Sequence, residues 1–179
     1  MLIGTNGNGF YVYNTETRNI ENIMFPEFKE TKFNPYRNKI KTFYFTSYGT
    51  LLIGTNGAGF VEYDLQGKKI LHHYFQSDTN PNTLSHGVVS GFVEPEVGSL
   101  WVTTSNRLSV LKQGWGEQFI RYAYSDCNEF SLSENNLSCV YKSSSGIVWI
   151  GTNGGGVSIF KKLSNNQFNH FTSSNFANG

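Results

Sequence analysis

The chain has 179 residues and a mass of 20.1 kDa, the size of one domain or of a small two-domain protein. Its 14 Lys and Arg balance 13 Asp and Glu, so the charge predicts no nucleic-acid partner and no direct contact with a membrane. Charged residues make up only 15% and aromatic residues 16%, which excludes disorder and coiled coil and favours β structure. No apolar run reaches about 18 residues, so no membrane span is predicted, and no export signal is visible after Met1.

Four similar segments recur along the chain, each a short apolar strand pattern followed by a polar or Gly-rich turn. Ile3, Ile53, Val102 and Ile150 occupy the same place in the four copies, so the period is about 50 residues. Glycines and aromatic residues at fixed places in such a period are typical of a β-propeller, in which each blade has four antiparallel strands. The sequence therefore predicts an all-β fold of about four blades.

Within each blade the strands are lettered A to D in chain order. The first blade begins at a strand B that ends at Thr5, continues with strand C at Phe10–Tyr13, and has a long connection to the next strand A. Further strands are predicted at 39–45, 88–94 and 137–142 (A), up to 55, 104 and 152 (B), at 60–64, 108–111 and 157–160 (C), and at 70–75, 118–123 and 167–171 (D). As one propeller domain over 1–179, the chain divides into blades at about 1–31, 32–80, 81–128 and 129–179.

The two ends of the chain bear on its assembly. Because Met1 precedes a strand B, the first blade has no strand A, and the last residues stop short of another one. The sequence therefore indicates a fragment of a larger propeller; the alternative is a complete four-bladed protein that starts at Met1. Either arc leaves two apolar blade faces open, one on the blade that contains Phe10 and Tyr11 and one on the blade that contains Val157 and Ile159. We expect self-association or pairing through these faces.

Three side-chain environments follow from the strand pattern. Alternation along the last strand B predicts Trp149 in the blade core and Ile150 on the other side of the sheet. Cys127 and Cys139 are predicted to be buried free thiols rather than a disulfide.

The last copy resembles a known repeat. Residues 146–160, Gly-Ile-Val-Trp-Ile-Gly-Thr-Asn-Gly-Gly-Gly-Val-Ser-Ile-Phe, are similar to the two-component regulator propeller repeat, as are Asn-Thr-Leu-Ser at 82–85 and Phe-Asn-His-Phe at 168–171. The resemblance covers essentially the whole chain. It implies a part of the periplasmic sensor region of a hybrid two-component histidine kinase, a class that often controls polysaccharide use. It thus implies a signalling module that senses carbohydrate. Because this chain carries no kinase or hydrolase motif, we expect the module itself to be non-catalytic.

The sequence predicts no catalytic residue, no metal site and no cofactor. The loop from Gly4 to Gly9 is rich in glycine like a phosphate loop, but a strand follows it where a phosphate loop needs a helix. His73 and His170 share one repeat position with Arg121, which indicates a tolerated polar site on an outer strand. The Asp and Glu residues are scattered and form no recurring pair.

Candidate ligand-binding residues lie where one blade departs from the others. Arg107 stands in a shortened turn that has lost both glycines, and we expect this turn to pack against nothing. Tyr36 and Arg37 lie in the long first connection, and His86 lies in the loop before the strand A at 88–94. Because B–C turns and D–A loops emerge on one face of a propeller, these four residues are predicted to share a rim that suits an oligosaccharide.

Two other functions remain open at this point. The chain could belong to a propeller lyase or a glycoside-active enzyme, for which His86 in a pocket with a tyrosine would be the mark. It could also be a purely structural array that holds a partner protein.

Overall fold

The computed structural model describes residues 1–26, 34–112, 118–160 and 167–172. Over these ranges the chain forms antiparallel strands, which we number in chain order: β1 Leu2–Gly4, β2 Phe10–Tyr13, β3 Ile20–Ile23, β4 Ile40–Phe45, β5 Leu51–Thr55, β6 Phe60–Asp64, β7 Lys69–Tyr74, β8 Val89–Glu96, β9 Ser99–Thr104, β10 Leu108–Lys112, β11 Phe119–Tyr122, β12 Leu137–Lys142, β13 Val148–Thr152, β14 Val157–Phe160 and β15 Phe168–Phe171.

The strands form four sheets in which each strand pairs with its neighbour in sequence. Strands β1–β3 make a three-stranded sheet, and β4–β7, β8–β11 and β12–β15 make three four-stranded sheets. The sheets are the blades of a β-propeller, as predicted, and the first one lacks strand A. The A strands of blades two, three and four (β4, β8 and β12) contact one another, so they lie innermost.

Successive blades pack face to face, and three apolar clusters fill the spaces between them. One face of each blade, which we call the leading face, packs on the next blade, and the opposite face, the trailing face, packs on the blade before it. Phe10 of blade one lies 5.7 Å from Tyr63 of blade two, Phe60 lies 5.1 Å from Phe92 of blade three, and the Trp101 ring lies 4.8 Å from Phe160 of blade four. Burial of these aromatic rings is the main source of stability for such a stack.

The prediction for Trp149 is wrong. Ile150 is fully buried as expected, but the side chain of Trp149 is 40% exposed. Trp149 and Ile150 nevertheless lie on opposite faces of the sheet, as predicted; Trp149 pairs with Tyr141 on one side and with Ile159 on the other. Trp101 holds the same place in blade three and is only 7% exposed, since blade four covers it. Trp149 points out of the leading face of blade four, where no described residue packs over it.

The two cysteines are free, as predicted, but both are exposed rather than buried. Cys139 pairs with Gly151 in the register of β12 and β13, which places it on the same leading face of blade four as Trp149. For Cys139 the expectation of burial failed for the same reason as that for Trp149: the position is a core position only when another blade covers it. Cys127 lies in the loop between two strands, where it meets solvent.

A candidate ligand-binding rim

Turns and loops of neighbouring blades meet along one edge of the array. We call this edge the loop rim; it consists of the B–C turns at 5–9, 55–59, 104–107 and 152–156 and the described parts of the loops between blades, at 34–39, 75–88 and 123–136. The backbone N–H groups of Gly57 and Gly59 both donate to the carbonyl of Gly87, at 3.1 and 2.8 Å. Gly7 and Gly9 make the same pair of bonds to the carbonyl of Asn38. These bonds hold each B–C turn against the loop that leads into the next blade.

Arg107 occupies a glycine position. A Thr hydroxyl at the end of each strand B donates to the carbonyl four residues on at Gly9, Gly59 and Gly156, and three residues on at Arg107. The three glycines have φ of 66°, 74° and 76°, and Arg107 has φ of 81°. This left-handed conformation costs an L residue roughly 1–2 kcal/mol, a cost that glycine avoids.

The environment of Arg107 differs from the expectation that its turn packs against nothing. Its backbone N–H donates to the carbonyl of Asn135 at 2.7 Å, and its carbonyl accepts bonds from the hydroxyls of Thr104 and Ser85. The residue is half-buried, and its Nε is buried without a hydrogen-bond partner. A buried donor without an acceptor is costly, so the placement of this Nε is unfavourable for the fold.

His86 lies on the same stretch of rim, next to Ser85 and Gly87. Its ring is half-buried, and its Nδ1 accepts the backbone N–H of Val88 at 3.1 Å. Burial lowers the pKa of the ring below its usual value, since the charged form loses hydration. At neutral pH the ring is therefore uncharged, and with Nδ1 as acceptor its proton resides on Nε2. His86 can then offer one N–H donor to a ligand.

Tyr36 extends the rim toward blade one. Its ring lies against Gly57, where a Cβ atom would come within 3.0 Å of the Tyr36 side chain. The Nζ of Lys39 lies 4.8 Å from the centre of the same ring, close enough for a cation–π contact. Tyr36 is 45% exposed, so part of its ring remains accessible to a ligand.

Arg37 has a different role from its neighbour Tyr36. Its Nε donates to the carbonyl of Phe25 and its Nη1 donates to the carbonyl of Asn34. Asn38 also reaches Phe25, with one bond to its N–H and one to its carbonyl. Arg37 thus braces its own connection, and we leave it out of the proposed ligand site. Phe28 and Phe33 of that connection lie outside the described residues.

Tyr36, His86 and Arg107 form one continuous strip. Tyr36 rests on Gly57, Gly57 is bonded to Gly87 beside His86, and Ser85 on the other side of His86 donates to the carbonyl of Arg107. The chain thus brings together three of the four residues that the sequence singled out, from blades two and three.

Sequence reasoning missed several residues of the loop rim. Asn6, Asn56 and Asn153 recur at one place in three of the B–C turns, and all three are exposed. Lys39 lies at the end of the connection that contains Tyr36. Their recurrence and their position beside the turns were visible in the sequence, but the packing of Lys39 on an aromatic ring was not.

The position shared by His73, Arg121 and His170 is more than a tolerated polar site. Arg121 donates to the carbonyls of Thr83 and Leu84 at 3.0 Å each, and one ring nitrogen of His170 lies 3.0 Å from the carbonyl of Glu129. These side chains fasten the loop between two blades to the outer strand. Burial, and then the charge of Arg107, lowers the pKa of Arg121, so the two guanidinium groups lie within electrostatic reach of each other.

A second polar region lines a groove of about 650 Å³ along the A strands of blades two to four. The carboxylate of Glu94 accepts bonds from the N–H and hydroxyl of Ser47 and from the hydroxyl of Tyr44. Burial and the charge of Glu94 raise the pKa of Tyr44. The Nζ of Lys142 donates to the Glu94 carbonyl. Because these groups satisfy one another, we interpret the network as a structural one.

In the described part of the chain, no group of three or more His, Cys, Asp or Glu side chains is placed to hold a metal ion. Nor does that part contain a helix long and apolar enough to cross a membrane.

The sequence profile of the two-component regulator propeller matches residues 131–154. This segment includes strands β12 and β13 and the first residues of the Gly-rich turn after them. The resemblance noted in the sequence is therefore confirmed over this repeat. No curated protein sequence matches the chain.

Solved structures extend the likeness to nearly the whole chain. The extracellular domain of the hybrid two-component system BT3049 from B. thetaiotaomicron matches 96% of this chain with a TM-score of 0.69 and 18% identity. That of BT4673 from the same organism matches 88% with a TM-score of 0.66 and 18% identity. The chain spans only 24% and 19% of those two domains. At this identity the likeness shows a shared fold, the β-propeller.

Virginiamycin B lyase from Staphylococcus aureus shares the fold as well. It matches 93% of this chain and 49% of its own, with a TM-score of 0.61 and 14% identity. Blades of this type therefore occur both in sensor domains and in an enzyme, so the fold alone does not choose between these functions.

Proposed function

We propose that the chain is a non-catalytic ligand-binding module of an extracytoplasmic sensor propeller of a two-component system, working in the periplasm, and that its ligand is a carbohydrate bound at the loop rim. The observation that carries the proposal is Arg107. Blade three replaces a glycine with an arginine in the same left-handed conformation and leaves the Nε of that arginine buried and unpaired. Strain and an unsatisfied donor at one residue are typical of a functional site.

The chemistry of the strip suits a sugar. The exposed part of the Tyr36 side chain can pack against the C–H surface of a pyranose, and Nε2–H of His86 can donate to a hydroxyl. Arg107 and Lys39 add positive charge, while the nearby carboxylate of Glu134 is bonded to the N–H of Asn135. A guanidinium binds carboxylate and sulfate groups more strongly than neutral hydroxyls. The ligand we propose is therefore an oligosaccharide that carries acidic groups.

Titration calorimetry tests the proposal with oligogalacturonides and sulfated chondroitin oligosaccharides as acidic probes and with cello- and xylo-oligosaccharides as neutral ones. We expect binding of at least one acidic probe, and a loss of about tenfold or more in affinity for Arg107→Gln, because the charged hydrogen bond is removed. Arg18→Gln is the matched control: Arg18 is also an arginine at positive φ, 58°, but lies in a C–D turn on the opposite edge.

Three outcomes would contradict the proposal in different ways. Equal affinity of Arg107→Gln and wild type for the acidic probe would show that Arg107 does not belong to the binding site. Binding of neutral probes alone would rule out an acidic ligand, and the chain would still be a sugar-binding module. Chemical consumption of any probe during the titration would favour the enzyme, and an absence of binding to every probe would favour a scaffold.

A further inference from the structure

A hollow of about 460 Å³ lies between blades two and three and reaches their A–B turns, on the edge opposite the loop rim. Sites for small molecules in proteins have volumes of roughly 300–1,000 Å³. The apolar lining of the hollow consists of Leu52 and Tyr74 from blade two and of Leu100 and Leu111 from blade three. Both blades have a described blade on either side, so the hollow belongs to the inside of the array and not to its ends.

The hollow exists because two side chains that meet across this interface are smaller than their counterparts. Leu52 of strand B holds the place of Trp101 in blade three and of Trp149 in blade four, as the register of strands B and C shows. In strand C, Leu111 holds a place that is aromatic in the other three blades, at Tyr13, Tyr63 and Phe160. Between blades three and four the corresponding rings, Trp101 and Phe160, lie 4.8 Å apart and fill this space. Between blades two and three, two leucines leave it open.

Glu62 adds a charge at a place that is apolar in the other blades. It pairs with Leu52 across strands B and C, so both side chains lie on the leading face of blade two. The same place is held by valine or isoleucine in the other three blades, at Val12, Val110 and Ile159. Glu62 is half-buried, and its Oε1 accepts the hydroxyl of Thr50 at 2.8 Å. A carboxylate that gives up part of its hydration between two blades is unfavourable unless a positive charge compensates it.

A second carboxylate lines the hollow from the other blade. Glu94 of blade three accepts its hydrogen bonds from neutral N–H and hydroxyl donors of blade two, so its charge is not neutralised by them. Within the described residues, neither Glu62 nor Glu94 forms a salt bridge. His72 and Lys112 also line the hollow, and Lys112 is the one lysine or arginine among its described lining residues. Two carboxylates therefore face a single permanent cation, and the hollow favours a positively charged ligand.

We propose that this hollow binds a small organic cation with an apolar body, such as an arylalkylammonium ion. The ammonium group lies beside the Glu62 carboxylate, and the apolar part occupies the space between Leu52 and Leu111 that two aromatic rings fill in the next interface. The charge of Glu94 adds to the attraction, while its hydrogen bonds keep their structural role. The site is separate from the loop rim, so it neither needs nor excludes the oligosaccharide proposed there.

Three probes of similar size and different charge test the proposal: 2-phenylethylamine, which is a cation at neutral pH, the neutral 2-phenylethanol and the anion phenylacetate. Titration of the chain followed by amide NMR shifts reports both the affinity and the location of each probe. We expect saturable binding of the amine with shifts at residues 51–53 and 110–112. The alcohol should bind about tenfold more weakly or less, and phenylacetate more weakly still, because they lack the attraction of the carboxylates.

Variants of the lining separate the contributions of charge and space. Glu62→Gln removes the charge and keeps the size, and Glu62→Val restores the residue type of the sister blades. Both should reduce affinity for the amine by about tenfold or more and leave affinity for the alcohol unchanged. Leu52→Trp should weaken the binding of both probes, because the indole fills the hollow. Glu16→Gln is the matched control: it removes the charge of an exposed carboxylate in the C–D turn of blade one and should change neither affinity.

Several outcomes would overturn the inference. They are the absence of saturable binding of the amine, equal affinities for the amine and the alcohol, and shifts confined to the loop rim. Tighter binding of phenylacetate would show that Lys112 and not the carboxylates dominates the hollow. Unchanged amine affinity in Glu62→Val, which the amide spectrum shows to be folded or not, would also contradict the site. If both Glu62 variants were unfolded, the carboxylate would be structural, and the inference would fail.

Discussion

At the scale of the residue, Arg107 separates stability from function. Its left-handed backbone is the conformation that glycine adopts at Gly9, Gly59 and Gly156, and its side chain leaves Nε unpaired. The residue is therefore unfavourable for the fold at two points. Its presence at a position where three sister blades carry glycine is the reason that we propose a binding role for its side chain.

Replacement of this residue by glycine gives the sharpest prediction. Arg107→Gly should keep the free energy of unfolding or raise it by up to about 1 kcal/mol, because relief of strain outweighs the added freedom of the unfolded chain. The backbone bonds to Asn135, Ser85 and Thr104 stay in place. Affinity for an acidic oligosaccharide should fall together with that of Arg107→Gln. Urea unfolding measures the first effect, and a loss of more than about 1 kcal/mol would show that the side chain is structural.

His86 gives the rim a dependence on pH. Burial lowers the pKa of its ring in the folded state, so the unfolded chain binds a proton more readily. Above the ordinary histidine pKa of about 6.5, the ring is neutral in both the folded and the unfolded chain, so it does not lower the free energy of unfolding. As the pH drops from there toward the pKa of the folded state, the unfolded chain takes up the proton first and the free energy of unfolding falls. His86→Asn keeps an acceptor for the N–H of Val88 and cannot titrate. The variant should therefore lose less unfolding free energy than wild type between about pH 7 and pH 5; equal losses would contradict this assignment.

At the scale of the element, each blade is a sheet with two apolar faces whose burial depends on its neighbours. Trp101 and Trp149 hold the same place in β9 and β13, yet they are 7% and 40% exposed. The difference comes from the neighbouring blade and not from the strand itself, because the register around the two tryptophans is the same.

This contrast predicts unequal costs for one substitution. Trp101→Ala should reduce the free energy of unfolding by about 3–5 kcal/mol, since it opens a cavity against Phe160 and Phe168. Trp149→Ala should cost about 1–2 kcal/mol, because much of its surface already meets solvent. Denaturant unfolding at protein concentrations low enough for single chains gives both values. Equal costs would mean that Trp149 is covered.

The same contrast explains what the sequence could and could not predict. The spacing of Gly and aromatic residues repeats within the chain, so strand order, the blade count and the missing strand A follow from it. Exposure of Trp149 depends on a neighbour that the pattern of its own strand does not contain. Arg37 donates hydrogen bonds to the carbonyls of Phe25 and Asn34. These bonds depend on the conformation of the first connection between blades, which has no similar copy elsewhere in the sequence and so could not be predicted. Arg107 could be singled out as a departure from the repeat, but its unpaired Nε required the packed structure.

At the scale of the whole molecule, the account places the oligosaccharide site along one edge of the blade array. The loop rim, with Tyr36, His86 and Arg107, is assigned to this ligand, and blades two and three contribute these residues. The A–B turns lie on the opposite edge, so a variant there should leave ligand affinity at the rim unchanged.

Hydrogen exchange with and without the oligosaccharide that binds most tightly tests the central claim, a ligand site on the loop rim, most directly. The account predicts slower exchange of amides in the turns at 55–59 and 104–107 and in the loop at 85–88, with the A–B turns at 46–49 and 95–98 unchanged. Slower exchange confined to the A–B turns, or an unchanged rim in the bound protein, would contradict it.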